Sequence, residues 1–241
     1  MSSQSSGEMP REPQGTLQRR RFVRNAIGCA VLGFVSPAPR WLAPSGMGAG
    51  FANPITPDEA LAELRAGNER YVSNRMTSIH QDLAALRQQT VSEQHPFAAV
   101  LGCADSRVAV ELLFDQSIGR LFVVRVAGNV AAPEVIASLE YAVADLGVGA
   151  VVVLGHANCG AVKAALKSEQ VPGQISSLYP YLRPAVERGA GDLQQAVEAN
   201  AQHQAELLRT SSIVIRDALG KRTIAVTAAV YDLSSGRVAL A

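Results

Sequence analysis

The sequence predicts an α/β domain with a mostly parallel central sheet flanked by helices. Three observations carry that reading. Phe97–Leu101, Leu121–Val126 and Ala150–Leu154 are short apolar runs of the kind that form strands buried on both faces. Helical stretches fall between and after these runs, so strands and helices alternate along the chain. Two of the runs close on glycine, at Gly102 and Gly155, where the chain can turn away from a sheet.

Ahead of this domain, residues 1–50 read as a disordered N-terminus and an export signal, leaving residues 51–241 as one folded unit. Met1–Gly15 is rich in Ser, Gln, Pro and Gly and has too few apolar groups to fold. Arg19-Arg20-Arg21-Phe22 then precedes the apolar run Ala26–Val35, and small residues follow. A basic region, a short apolar run and small residues make a signal peptide. The run is far shorter than the ~20 residues a membrane-spanning helix needs, so no stable span is expected. The pattern Arg-Arg-x-Phe resembles a twin-arginine signal, which implies a periplasmic or secreted destination reached in folded form. A buried helix is the other reading of this stretch, but Pro37, Pro39 and Pro44 would break it.

Within the domain, Thr56-Pro57-Asp58-Glu59 is a helix start, with Thr56 as cap, Pro57 in the first turn and Glu59 closing a capping box. Leu61, Leu64 and Tyr71 continue at helical spacing to Asn74, and a second helix is expected over Gln81–Gln89. After the first strand comes a short helix at Glu111–Asp115; Pro133–Leu146 and Ala161–Lys167 are the helices that follow the second and third strands. Pro180, Pro184 and Gly189–Gly191 read as a loop region. One long helix is predicted from Asp192 to about Leu219. Arg222–Tyr231 and Arg237–Leu240 close the domain as strands joined by the turn Ser234-Ser235-Gly236.

A formal net charge of +1 gives no support for a nucleic-acid partner. Of three cysteines, Cys29 lies in the leader, so two remain in the domain. That is too few for a disulfide framework in a chain of this size, although a single Cys103–Cys159 disulfide stays open.

Ligands of open α/β sheets collect beyond the carboxyl ends of the strands. The first strand ends in Cys103-Ala104-Asp105-Ser106-Arg107, and the third in Gly155-His156-Ala157-Asn158-Cys159-Gly160. If those strands are neighbours, Cys103, His156 and Cys159 meet at one edge. Two thiolates and an imidazole suit zinc, and three protein ligands leave a fourth position for water. Gly155 and Gly160 are expected to allow a tight turn there. Taken alone, either cysteine reads as a small buried hydrophobe and the histidine as structural; both domain cysteines falling at strand ends is what favours a metal.

At these residues the sequence resembles the β-class carbonic anhydrases. The motifs are Cys103-Ala104-Asp105-Ser106-Arg107-Val108, and Glu140-Tyr141-Ala142 continued by Val151–His156 and Cys159-Gly160. Arg125–Val130 and Tyr231–Val238 also resemble family segments, so the likeness runs from about Thr56 to the C-terminus. Val110 departs from the family's usual Ala or Pro, and a packing change is expected there. The resemblance implies the β-carbonic anhydrase fold, one Zn²⁺ per subunit on Cys103, His156 and Cys159, and reversible hydration of carbon dioxide to bicarbonate by zinc-bound hydroxide. It implies Asp105 and Arg107 as the catalytic pair, with Asp105 as a fourth zinc ligand in a closed, inactive form.

Gln94, nine residues before Cys103, matches a substrate-contacting Gln of the plant-like branch of the family; as a bare residue it would read as a solvated loop side chain. Where members with a regulatory bicarbonate pocket carry Trp, this chain has Val100, so that regulation is expected to be absent. The family's pocket lies between subunits, which implies a homodimer or a dimer of dimers. His80, His95 and His203 are proton-shuttle candidates by residue type alone. Two other functions fit the same motifs: hydrolysis of carbonyl sulfide or carbon disulfide, and a non-catalytic zinc-stabilised assembly module in which Asp105 fills the fourth position permanently.

Overall fold

A computed structural model describes residues 55–240. The proposed export signal, its twin arginines and Cys29 therefore lie outside the described residues. The elements are α1 (Pro57–Val72), α2 (Leu83–Gln89), β1 (Ala98–Gly102), α3 (Val110–Leu113), β2 (Leu121–Arg125), α4 (Pro133–Ala144), β3 (Ala150–His156), α5 (Gly160–Leu166), α6 (Tyr179–Arg188), α7 (Leu193–Ser211), α8 (Ile213–Gly220), β4 (Ala225–Tyr231) and β5 (Val238–Leu240). No helix among the described residues is long and apolar enough to cross a membrane.

The sheet has the order β2-β1-β3-β4-β5. Its first four strands run parallel, and β5 is antiparallel to β4. The fold is thus a mostly parallel sheet flanked by helices, as the sequence predicts. From β1 the chain moves outward to β2 and then returns to place β3 on the other side of β1. That reversal makes the β1/β3 boundary a topological switch point, where crevices open beyond the strand ends.

Alternate residues of each strand face opposite helical layers. Ala99, Leu101, Val151, Val153, Val226 and Ala228 pack against Leu139, Ala142, Ala201, Leu208 and Ile215 of α4, α7 and α8. Ala98, Val100, Val152, Leu154 and Ala229 pack against Ala60 and Leu64 of α1, and Val110 and Leu113 of α3. Every residue of β1 and β3 is buried, which explains why their apolar runs were readable.

The capping box of α1 forms as expected: the Glu59 amide donates to Thr56 Oγ1 (3.3 Å), and the Thr56 amide donates to Glu59 Oε2 (2.9 Å). Val110 is fully buried, and its Cγ2 would lie 3.2 Å from a Cβ placed on Gly102. The larger side chain at 110 thus fills the space that Gly102 leaves open.

Two expectations need correction. The region around Pro180 and Pro184 is helix α6, with Pro180 in its first turn and Pro184 inside it. A proline inside a helix forfeits one backbone bond, but burying Leu182 and Ala185 offsets that loss. The long helix from Asp192 is two helices. Extended backbone at Ser212 breaks it, and the Ser212 hydroxyl accepts the Ile215 amide (3.1 Å) while donating to Glu140 Oε1 (2.6 Å).

Candidate metal centre

β1 and β3 pair in register, Gly102 opposite Leu154, so Cys103 leaves the sheet beside the strand that carries His156. Cys159 is the residue before α5, three positions beyond His156. The ligand atoms of Cys103, His156 and Cys159 all lie within 4.8 Å of one another. The three residues are 4%, 0% and 1% exposed, and both cysteines are free thiols rather than a disulfide. The sequence-predicted trio therefore converges, and it can hold a metal ion.

The donor chemistry fits a soft or borderline cation such as zinc. His156 Nδ1 lies 2.9 Å from the Ala157 carbonyl, which can only accept, so Nδ1 carries the proton and Nε2 presents a bare lone pair. Nε2 is buried without a hydrogen-bond partner, as expected of an atom kept for a metal. A ligating imidazole held at its other nitrogen by a carbonyl is the usual arrangement around such ions.

Cys103 is lowered to about 4, chiefly by the hydrogen bond from the Cys159 thiol, against burial, and then by His156 and the Asp105 and Gly128 amides. Cys159 is pushed up by the same contact, by burial and by the charge on Cys103. The opposite directions follow from one contact between the two sulfurs, and a bound cation would favour the thiolate form of both.

The tight turn after β3 is made differently from the expectation. Its left-handed residue is Asn158 (φ 54°) rather than a glycine. Gly155 serves packing instead, since a Cβ there would sit 3.4 Å from both Ala201 and Val197 of α7. Nothing crowds the same position of Gly160.

Asp105 and Arg107 form a tight pair beside the cluster. Arg107 Nε donates to Asp105 Oδ1 (2.9 Å), its Nη2 to Oδ2 (2.7 Å), and its amide to Oδ1 (2.9 Å). The guanidinium holds the carboxyl well below the usual carboxylate range, against a burial cost. Arg107 Nη2 also reaches the Asn158 carbonyl at 3.5 Å, tying the Cys103 loop to the Cys159 loop. Asp105 Oδ2 is 3.8 Å from His156 Nε2, close enough to influence whatever that nitrogen faces.

Gln94 is not brought to this cluster within one chain. It precedes β1 whereas Cys103 follows it, so a five-residue strand separates them. It is exposed, in a mostly polar depression with Thr90, Val91, Tyr141 and Asp145. His80 and His203 make no hydrogen bond to the cluster, and His95 pairs with Glu93 at 3.4 Å. Arg125 was missed as a site residue. Its Nε donates to the Cys103 carbonyl (3.0 Å) and its Nη2 to the Asp105 carbonyl (2.6 Å), stapling the ligand loop from the neighbouring strand. Its place at the end of a predicted strand, within a segment already matched to the family, was the available signal.

Known proteins agree with this arrangement. The profile of the carbonic anhydrase family matches residues 98–238. A carbonic anhydrase of Mycolicibacterium smegmatis is 39% identical over 198 residues, covering 78% of this chain and 94% of that protein. Carbonic anhydrase 2 of Mycobacterium tuberculosis is 38% identical over 196 residues, covering 78% and 93%. Among solved structures, the β-carbonic anhydrase CafA of Aspergillus fumigatus superposes with a TM-score of 0.62 at 26% identity, over 75% of this chain and 90% of that one. On sequence, sheet topology and the buried Cys–His–Cys cluster together, the chain belongs to the β-carbonic anhydrase family.

Proposed function

We propose that the protein catalyses the reversible hydration of carbon dioxide to bicarbonate and a proton, using one zinc ion held by Cys103, His156 and Cys159. The observation that carries this reading is three buried donor atoms within 4.8 Å, one of them a histidine nitrogen with no hydrogen-bond partner. Zinc bound there would supply the Lewis acidity that lets water ionise near neutral pH. Asp105 would accept the proton of the attacking oxygen in a hydrogen bond and so aim its lone pair at carbon. The Arg107 pairing favours ionised Asp105 and engages both of its carboxylate oxygens, which supports an open rather than a self-ligated arrangement. Stopped-flow hydration of carbon dioxide at mildly alkaline pH, on protein with measured zinc content, tests the reading. Zinc-loaded protein at the uncatalysed rate would refute it.

Gln94 would hydrogen-bond bicarbonate from a second copy of the chain, in a homodimer or a dimer of dimers. Supporting this, β2 is an edge strand of the sheet, and Leu112, Ile118 and Tyr141 are large exposed apolar side chains. Residues 1–50 would direct export by a twin-arginine route, with folding and metal loading before transport protecting the two thiols from oxidation. Changing Arg19 and Arg20 together to Lys should leave the protein in the cytoplasm; unchanged export in that variant would refute the route.

A further inference from the structure

The 3₁₀ turn Ala127–Asn129, after β2, reaches the cluster with a hydrogen bond. The Gly128 amide donates to Cys103 Sγ at 3.3 Å. Gly128 (φ 73°) and Asn129 (φ 46°) are both left-handed, a conformation that persists only where surrounding structure holds it. Two side chains of α7 supply that hold. Asn200 Nδ2 donates to the Gly128 carbonyl (2.8 Å). Gln204 Oε1 accepts the Ala131 amide (2.8 Å), and its Nε2 donates to Asn200 Oδ1 (3.0 Å) and to the Tyr181 carbonyl (2.9 Å). Asn200 and Gln204 are 1% and 0% exposed, in a helix layer otherwise packed through Ala201, Ala205 and Leu208.

Two adjacent amides in a core helix carry a desolvation cost that apolar residues of similar size would avoid. Here their polar atoms grip the turn at its middle residue, Gly128, and the chain just beyond it at Ala131. Within the turn the Asn129 amide donates to the Val126 carbonyl (2.9 Å), and Asn200 Nδ2 also reaches Asn129 Oδ1 (3.5 Å). Its other neighbours are apolar: a Cβ on Gly128 would lie 3.2 Å from Leu182 and 3.3 Å from Ala161. Apolar packing limits where the turn sits, whereas hydrogen bonds to its carbonyl and amide set how its peptide planes are rotated. Rotation of those planes decides whether the Gly128 N–H points at sulfur.

We propose that Asn200, braced by Gln204, is a positioning residue for the metal centre: it holds the Gly128 carbonyl and, through the left-handed backbone of Gly128, sets the direction of the preceding peptide's N–H toward Cys103, and thereby how strongly that thiolate gives charge to a bound metal. An N–H···S bond draws electron density from sulfur, so its loss makes the sulfur a stronger donor and leaves it less well oriented. The inference rests on the metal reading of the Cys–His–Cys cluster and deepens it.

The test uses the full-length protein loaded with Co²⁺, whose thiolate-to-cobalt charge-transfer absorption reports sulfur donation directly. Asn200→Ala and the similar-sized Asn200→Leu should both move that absorption to longer wavelength. Both should also weaken zinc retention against a chromophoric chelator, by about ten- to a hundred-fold. Leu208→Ala removes packing from the same helix away from the turn; it should lower Tm with the absorption unmoved. A wild-type chain that binds neither ion overturns the metal reading itself. A wild-type absorption that stays unmoved in the folded Asn200 variants, or that moves as far in Leu208→Ala, overturns this inference alone.

Discussion

Cys103, His156 and Cys159, at the carboxyl ends of β1 and β3, are at most 4% exposed, whereas Gln94, ahead of β1, lies in an open polar depression. The helix that leads toward Gln94, α2, buries none of its seven residues. At one end of the strand, then, polar atoms sit in fixed places inside the core. At the other, a polar residue of proposed function has no frame of its own within the chain. The contrast teaches that a single chain can gather three buried donor atoms while leaving Gln94 outside their reach; under the proposed function, a second copy would bring that residue to the substrate.

Variants at the two ends should differ in kind as well as size. Cys159→Ala should abolish both zinc binding and hydration, measured by metal analysis and stopped flow, because two protein donors remain where a catalytic zinc site needs three. Full rate in zinc-free protein would end the metal account. Arg107→Ala should cost about 10–100-fold in rate while zinc content holds, since Arg107 orients a neighbour of the site rather than a ligand. The sign of its pH effect follows from Asp105. The guanidinium depresses that carboxyl, so the carboxylate persists to low pH in the wild type. Without Arg107 the carboxyl would protonate at higher pH, and the acid limb of the rate profile should move up. An unmoved limb would remove Asp105 from the rate. The smallest effect is expected for Gln94→Ala: a rise in KM for bicarbonate of about five- to tenfold, the worth of one hydrogen bond. Zinc content and Tm should be unchanged. A large drop in Tm would mean that Gln94 is structural and would blur the contrast between the two ends.

Much of this was legible in the sequence for one physical reason: strands buried on both faces must be apolar throughout, so the polar residues at their ends stand out. Cys103 and His156 were found in that way, whereas the sequence left the β1/β3 neighbourhood as a condition that the strand pairing meets. What stayed hidden depends on distant partners. Asn200 and Gln204 bond to residues 72 and 73 positions away, and nothing local separates them from solvated helix residues. Proline rules misplaced α6, because Leu182 and Ala185 win more by burial than Pro184 loses. Ser212 was likewise unreadable as a helix break, since half of its reason is Glu140, 72 residues earlier. The glycines of the metal turn were readable as special, but their task was not: Gly155 makes room for α7, and Asn158 takes the left-handed backbone.

The pairing of β1 with β3 across an intervening strand and two helices also fixes when the centre can exist. During synthesis Cys103 leaves the ribosome ahead of α3, β2, α4 and β3; His156 arrives only with the last of these, and Cys159 three residues later. No local hairpin can bring the trio together, so a metal ion cannot act as an early seed around which the chain condenses. Under the proposed function, metal capture would instead be a closing step of biogenesis, with the Cys103 thiol exposed to oxidation until then.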